Sequence, residues 1–156
     1  MERSGEIRRA EARDAAQIAA LAGQLGYQTE ADQVGARLGE LARFEMHRVW
    51  VAEAVASRAE PSQARGGVVA WMHCEVCPAL DVPTYVEILA LVVDEAHRGR
   101  RIGEQLVACA ETWAKECGVA DVRVRSNVVR ERAHRFYERL GYAVRKTQRV
   151  FAKAVR

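Results

Sequence analysis

One segment in the second half of the chain constrains its fold more than any other. Residues 97–106 lie between an apolar run that ends at Asp94 and a helical pattern that continues through Trp113. A strand that turns through glycine and arginine into a helix leaves backbone N–H groups unpaired at the positive end of the helix dipole. Such a turn binds anions. Its three arginines, Arg98, Arg100 and Arg101, predict a multiply charged anion such as a pyrophosphate.

The glycine spacing excludes two common phosphate-binding loops. A P-loop needs Gly-Lys-Ser/Thr, and no lysine precedes Lys115 in this chain. A dinucleotide-binding turn needs Gly-x-Gly-x-x-Gly and an acidic residue at the far end of the next strand. This segment has only Gly99 and Gly103, and Asp121 begins the next predicted strand. The anion is therefore held by a different kind of loop.

Length and composition predict a single domain over residues 1–156. The chain is 49% apolar, with a net charge of +3, which is ordinary for a globular protein with one core. No apolar stretch approaches the ~20 residues of a membrane span, and residues 1–6 lack the apolar run of a secretory signal. We therefore expect a cytoplasmic protein with no membrane association. The small net charge does not favour a nucleic-acid partner, although an arginine-rich contact helix over 130–139 is an alternative.

The cysteines present one metal-like pattern. Cys74 and Cys77 have the spacing of a zinc knuckle or a redox pair, and His73 is adjacent. The surrounding residues read as a strand, whose alternation places the two cysteines on opposite faces. Cys109 and Cys117 form no second pair. We predict free thiols and no metal site.

Hydrophobic periodicity and turn residues divide the chain into strands and helices. Strands are predicted at 7–11, 48–53, 67–77, 85–93 and 121–126, followed by final strands at Val144 and at Val150 and Phe151. Helices are predicted from Asp14 to about Gly26, then at 30–43, 102–116 and 130–140. A polar turn over 57–67 joins two antiparallel strands.

Two motifs resemble the signatures of the GNAT superfamily of acetyl-CoA-dependent N-acetyltransferases. The first, Arg/Gln-x-x-Gly-x-Gly/Ala, matches Arg98 and Gly103, but Arg101 stands where the family has its middle glycine. The second, Asn…Ala-x-x-Phe-Tyr-x-x-x-Gly-Phe/Tyr, matches Asn127 and the run 133–142. The resemblance extends from about residue 47 to the end of the chain.

This resemblance implies an α/β (α+β) fold with a mixed, mostly antiparallel sheet of six to seven strands and four helices. It also implies a splayed central pair of parallel strands, whose exposed backbone groups bind the amide-rich arm of the cosubstrate acetyl-CoA. Backbone of Leu91 and Val93 would contact that arm. Asn127 would lie across the gap, or it would instead end a strand or cap the next helix. The implied pyrophosphate-binding residues are Arg98, Gly99, Arg100, Arg101, Ile102 and Gly103.

Acetyl transfer to an amine needs a base and an acid. An alkylamine titrates near ~10.4, so it must lose a proton to become a nucleophile, and a departing thiolate of pKa ~8.5 leaves more readily when it is protonated. Glu87 is the candidate base, since it is the one carboxylate inside the apolar stretch 85–91. Strand alternation would give it a face shared with residues 89, 91 and 93. A surface charge or a partner of an arginine is the alternative role, and Asp81 and Glu75 are weaker candidates.

The resemblance makes Tyr137 the candidate acid for the departing sulfur. The alternative is a core tyrosine, because Ala133, Phe136, Tyr137 and Leu140 form an apolar stripe. The resemblance favours a small-molecule amine as acceptor, including the aminoalkylphosphonate type. A protein or peptide amine and a non-catalytic acetyl-CoA sensor remain alternatives, and a homodimer is left open. Acceptor contacts in the family would fall here at Tyr27, Trp71, His73 and Tyr85.

Overall fold

A five-stranded sheet organises most of the chain. The computed structural model describes residues 5–55 and 66–156, so most of the predicted turn at 57–67 lies outside the described residues. The strands follow the chain in order across the sheet: β1 (Ile7–Arg9), β2 (His47–Glu53), β3 (Val68–Cys77), β4 (Tyr85–Val93) and β5 (Val122–Val124). Pairing is antiparallel from β1 to β4 and parallel between β4 and β5. The predicted number of six to seven strands is wrong for the described chain.

Four helices accompany the strands, as predicted. They are α1 (Ala15–Gly23), α2 (Ala31–Leu41), α3 (Ile102–Glu116) and α4 (Glu131–Arg139). The range of α3 matches its prediction. The other three helices are shorter than predicted, because periodicity defines helix ends poorly. No helix in the described part of the chain is long and apolar enough to cross a membrane. The chain divides into two compact units, Met1–Val124 and Arg125–Arg156.

In the first unit, helices cover both faces of the sheet. Ile18 and Leu21 of α1 and Val34 of α2 form a buried core with Val51 of β2 and Val92 of β4. We call this side the α1 face. The opposite side, the α3 face, buries Leu106, Val107, Ala110 and Trp113 of α3. The rings of Trp50 and Trp113 meet edge to face there, with centroids 5.8 Å apart.

Asp14 joins β1 and β2 at the start of α1. It precedes the first residue of that helix without capping it, because its carboxylate turns back and accepts a hydrogen bond from the N–H of Glu11 at 2.7 Å. The Arg8 guanidinium donates two hydrogen bonds of 2.8 Å to the same carboxylate. Arg8 also donates to Glu53 at 2.6 Å and 2.8 Å. Because Asp14 is only 3% exposed, this buried network replaces a simple helix cap.

A β-bulge in β4 changes which residues share a face. His73 pairs with Ala90 and Cys74 pairs with Ile88, so Leu89 is an extra residue in β4. Glu87 pairs with Glu75 and therefore shares the α1 face with Ala90 and Val92. The predicted face shared with residues 89, 91 and 93 is wrong. One extra residue reverses the alternation that the prediction assumed.

The parallel pair of β4 and β5 is short. It runs from Val86 opposite Val122 to Ile88 opposite Val124, where β5 ends while β4 continues to Val93. Pairing between these strands therefore stops just before the bulge. The pair is parallel as predicted, but β5 lies at the edge of the described sheet instead of in its centre.

The second unit contains α4, and residues 142–156 lie outside helices and strands. The final strands predicted at Val144 and at Val150 and Phe151 are not formed. These three side chains are 77%, 88% and 88% exposed. Isolated apolar residues in a polar segment bury too little surface to offset the entropy of ordering a strand.

Candidate active site

The loop between β4 and α3 has the form of an anion-binding turn. After a 3₁₀ turn at Glu95–His97, Arg98 is extended, and Gly99 and Arg101 take left-handed conformations with φ of 77° and 62°. The first hydrogen bond of α3 runs from the Gln105 N–H to the Arg101 carbonyl at 3.0 Å. Arg101 is the N-cap residue of α3, and its side chain makes no capping hydrogen bond to the backbone of this turn. The backbone N–H groups ahead of Gln105, including those of Ile102 and buried Gly103, are thus available to an anion.

The three arginines of the loop have different positions. Arg98 folds back, donates from Nε to the Val93 carbonyl at 3.2 Å and lies 3.8 Å from the Glu95 carboxylate. Arg100 is exposed, and the Arg101 side chain is 78% exposed with its Nε 3.2 Å from Glu104. Arg98 therefore ties the loop to the end of β4, while the other two leave positive charge at the start of α3.

A glutamine from α1's C-terminal end anchors the same loop. Gln24 donates to the Asp94 carboxylate at 3.0 Å and accepts the N–H of Glu95 at 3.1 Å. Nδ1 of His97 lies 2.8 Å from the other Asp94 oxygen. The hydrogen bonds from Gln24 and then His97 lower the pKa of Asp94. The role of Gln24 was not predicted from the sequence, since no local pattern links residues 70 positions apart.

Leu91 and Val93 lie in the part of β4 that extends past its pairing with β5. Leu91 pairs with Met72 and Val93 with Ala70, and both side chains are half-buried on the α3 face. Within the described residues, the β5 side of this stretch has no ladder partner. An extended, amide-containing ligand can pair with such an edge.

Glu87 is one of two charged residues buried in the described structure, at 6% exposed. Its neighbours in the sheet are Glu75 on β3 and Arg123 on β5. The Arg123 guanidinium stacks on the Tyr85 ring at 3.9 Å and donates to Asp121 at 2.8 Å. The hydrogen bond to Asp121 raises the pKa of Arg123, and the nearby Glu87 contributes. Glu87 is thus a buried carboxylate next to a cation.

Two histidines meet on the same face. Nδ1 of His47 lies 3.1 Å from Nε2 of His73, and Nε2 of His47 lies 3.7 Å from the Glu75 carboxylate. Burial and then the neighbouring His47 lower the pKa of His73 to about 4. His73 was predicted as an acceptor contact, whereas His47 was not predicted. The alternation of His47 with Val49 and Val51 was the available signal, since it places His47 on the core-facing side of its strand.

Asn127 and Tyr137 both lie in the second unit. The Asn127 side chain accepts the N–H of Val129 at 3.2 Å, which forms a turn ahead of α4. The Tyr137 ring packs edge to face on Phe136 and Tyr142, with centroids 5.0 and 5.7 Å apart. The Asn127 side chain does not cap α4, whose N-cap residue is Arg130, and the Tyr137 side chain is half-buried. The roles implied by the resemblance remain predictions.

The cysteines lie as the alternation predicted. Cys74 is fully buried on the α3 face, where burial and then Cys109 raise its pKa to about 12, while half-buried Cys77 lies on the opposite face. The described residues contain no group of three or more His, Cys, Asp or Glu arranged to bind a metal ion.

A shallow cavity of about 270 Å³ is lined by Arg48, Trp50, Cys109, Trp113 and Glu116, among others. It lies on the α3 face of β2, on the opposite side of the sheet from Glu87. We therefore keep it separate from the candidate active site.

Known structures share the fold of this chain. A crystal structure of a transcriptional regulator from Bacillus halodurans C-125 aligns with a TM-score of 0.79 at 22% identity, over 96% of this chain and 99% of that chain. Glucosamine-6-phosphate N-acetyltransferase from Arabidopsis thaliana aligns with a TM-score of 0.79 at 22% identity, over 97% of this chain and 99% of that one. At this level of identity the likeness concerns the fold alone.

Sequence comparison identifies the family. An aminoalkylphosphonate N-acetyltransferase from Salmonella typhimurium is 46% identical over 56 residues, which are 36% of this chain and 36% of that protein. The match thus spans about a third of that relative's length. Residues 45–144 match the family model of the acetyltransferase (GNAT) domain. Because that model covers well over half of the chain, the protein belongs to the GNAT acetyltransferase family.

Proposed function

We propose that this GNAT-family protein transfers an acetyl group from acetyl-CoA to the primary amine of a small molecule, by direct attack of the amine on the thioester. The observation that carries the proposal is the turn that opens α3. It combines backbone N–H groups that the Arg101 side chain does not cap with exposed arginines, directly after a strand edge that has no ladder partner within the described residues. A ligand with a pyrophosphate and an extended amide arm has the chemistry that suits both features.

The residues of the loop fit such a ligand. Backbone of Gly99, Ile102 and Gly103, with Arg100 and Arg101, would hold the pyrophosphate, while Arg98 keeps the loop against β4 through Val93. The backbone of Leu91 and Val93 would pair with the amide arm. We also propose that Asn127 contacts the arm, and this role rests on the family resemblance.

Acetyl-CoA would supply the acetyl group activated as a thioester. Glu87 takes a proton from the attacking nitrogen as the new C–N bond forms and the C–S bond breaks. Burial of Glu87 keeps competing water away from this carboxylate. Tyr137 donates its hydroxyl proton to the departing sulfur. All residues are proposed to act within one acetyltransferase domain.

A small-molecule acceptor is supported by the name of the Salmonella relative, an aminoalkylphosphonate N-acetyltransferase. The 46% identity covers only part of each chain, so the acceptor itself must be found by experiment. The name of the Bacillus neighbour, a transcriptional regulator, keeps a non-catalytic sensor as the second candidate.

Calorimetry with CoA and a thiol-release assay with acetyl-CoA test the proposal. The amine panel should contain aminoalkylphosphonates, amino sugars, simple diamines and a lysine peptide. We expect CoA binding together with turnover of at least one small amine. Binding without turnover of any amine would favour the sensor, and turnover of the peptide alone would favour a protein acceptor. Absence of CoA binding would overturn the proposal.

Gly103→Val tests the loop directly. A branched side chain at this buried position in the first turn of α3 would crowd the approach of the phosphates. We expect CoA affinity to fall about tenfold or more, which corresponds to about 1.4 kcal/mol. Gly39→Val is the matched control, because Gly39 is an exposed helical glycine with open space around it. Equal CoA affinity in the wild type and Gly103→Val would remove this turn from the binding site.

A further inference from the structure

A second proton-accepting group shares the α1 face with Glu87. It consists of His47 on β2 with His73 and Glu75 on β3, and we call it the histidine cluster. Its two imidazoles lie 3.1 Å apart, between Nδ1 of His47 and Nε2 of His73. The side chains of His47 and Glu75 are 20% and 35% exposed. The cluster therefore connects the interior of this face with solvent.

The geometry selects one arrangement of protons. The Glu75 carboxylate lies 3.7 Å from Nε2 of His47, and its negative charge favours the proton on that nitrogen. Nδ1 of His47 is then an acceptor, and Nε2 of His73 must donate to it. Nδ1 of His73 is then unprotonated, and its lone pair can accept a proton.

The surroundings keep His73 neutral near pH 7. Burial and the adjacent His47 lower its pKa to about 4. The charged and titratable groups on the same sheet face are His47 from β2, Glu75 and Cys77 from β3, Tyr85 and Glu87 from β4, and Arg123 from β5. His73 is therefore an unprotonated but weak base at neutral pH, so that a proton reaches Nδ1 only transiently and passes on to water.

His73 lies next to the proposed site of reaction. It pairs with Ala90, directly after the bulge at Leu89, while its neighbour on the same face, Glu75, pairs with Glu87. His73 and Glu87 are thus diagonal neighbours on adjacent strands, a separation that a small amine can span. Both groups lie beside the point where β4 and β5 stop pairing.

Acetylation of an alkylamine requires two protons to be removed. The acceptor arrives as an ammonium with three N–H bonds, because its pKa is about 10.4, and the amide product keeps one. One proton ends on the sulfur of CoA, and the other leaves to solvent. A single base would have to release the first proton before it could take the second.

We propose that His73 removes the first proton, which converts the bound ammonium into the free amine, and that Glu87 removes the second as the C–N bond forms. In the first step an N–H bond of the ammonium breaks and an Nδ1–H bond forms on His73. His73 then gives this proton to water. His47 and Glu75 act as positioning residues that keep Nδ1 free. This division of labour rests on the proposed acetyl transfer, and it suits the burial of Glu87 at 6% exposed, which shields its proton from solvent.

Two acceptors that differ in basicity test the proposal. The first is the best alkylamine of the panel, and the second is its β,β-difluorinated analogue. Both are assayed at about pH 8.5, where the far less basic analogue is largely unprotonated while the alkylamine, with a pKa of about 10.4, is still an ammonium. His73→Gln keeps a donor near the position of Nε2 but removes the base. We expect it to lower kcat/KM for the alkylamine by about 10²-fold and for the analogue by less than about threefold. The loss for the alkylamine should shrink as the pH rises towards the pKa of the amine.

Glu87→Gln is the matched comparison and should slow both acceptors similarly, since both must lose the second proton. His47→Phe should reproduce the alkylamine-selective loss more weakly. Equal losses for the two acceptors in His73→Gln, or none, would overturn the proposal while leaving acetyl transfer intact. An inactive wild type would overturn both. Independently of activity, ¹⁵N NMR at neutral pH should show His73 protonated at Nε2, and protonation at Nδ1 would contradict the assignment.

Discussion

Arg101 adopts a backbone conformation that its side chain disfavours. Its φ of 62° and ψ of 12° are left-handed, and within the described residues it is the one non-glycine with positive φ. This position is where the GNAT motif has its middle glycine. A glycine adopts this conformation without the steric cost of a Cβ atom. The arginine therefore holds a left-handed conformation that a glycine would adopt at lower cost.

Arg101→Gly should raise the free energy of unfolding by about 0.5–1 kcal/mol, because relief of left-handed strain exceeds the added entropy of the unfolded chain. The lost ion pair with Glu104 is exposed and contributes little. Urea unfolding measures the change. Gly99→Ala, at φ 77°, is the opposite control and should destabilise by a similar amount. Lower stability of Arg101→Gly would mean that the arginine side chain contributes more to stability than an exposed ion pair does.

Asp14 shows how a buried charge connects elements. It links β1, the turn before α1 and, through Arg8, the end of β2. Burial alone would raise the pKa of Asp14, but hydrogen bonds from Arg8 and the Glu11 backbone, with the charge of Arg8, hold it below its ordinary value. The carboxylate therefore stabilises the fold above the unfolded pKa of about 3.9, and this contribution is lost as the pH falls below that value.

Asp14→Asn should lower the free energy of unfolding by about 2–3 kcal/mol at pH 7, because it leaves the buried side of Arg8 without its carboxylate. The difference from the wild type should shrink at pH 3, where protonation weakens the wild-type pair. Urea unfolding at both pH values tests this. Glu116→Gln, which removes an exposed partner of Arg48, should change stability by less than about 0.5 kcal/mol. A difference that is constant between the two pH values would contradict the ionic role.

At the scale of the whole molecule, a single domain over residues 1–156 remains a prediction, and the chain contains two compact units. If the prediction is right, both units should unfold in one transition. Trp50, Trp71 and Trp113 report on the first unit, and hydrogen exchange of α4 reports on the second. We expect tryptophan fluorescence and α4 exchange to give the same urea midpoint. Loss of α4 protection at a clearly lower urea concentration would show two independently stable units.

Local sequence patterns determined much of the secondary structure of this protein. The glycines and arginines of 98–103 predicted the turn that opens α3, and apolar periodicity predicted the four helices and the strands through β5. Alternation also predicted that Cys74 and Cys77 face opposite sides of the sheet. These features depend on residues close together in the chain, where backbone preference and hydrophobic period act directly. The last predicted strands failed because strand formation depends on a partner as well as on local pattern.

Only the tertiary structure decided which side chains meet. The extra residue Leu89 reversed the faces of β4, so Glu87 lies with Glu75 and the histidine cluster instead of with Leu91 and Val93. His47 and His73 are 26 positions apart, and Gln24 and Asp94 are 70 apart. Such contacts depend on strand register, which follows from the packing of the whole sheet against its helices. A periodic pattern specifies that a face exists, while the register of neighbouring strands specifies what that face contains.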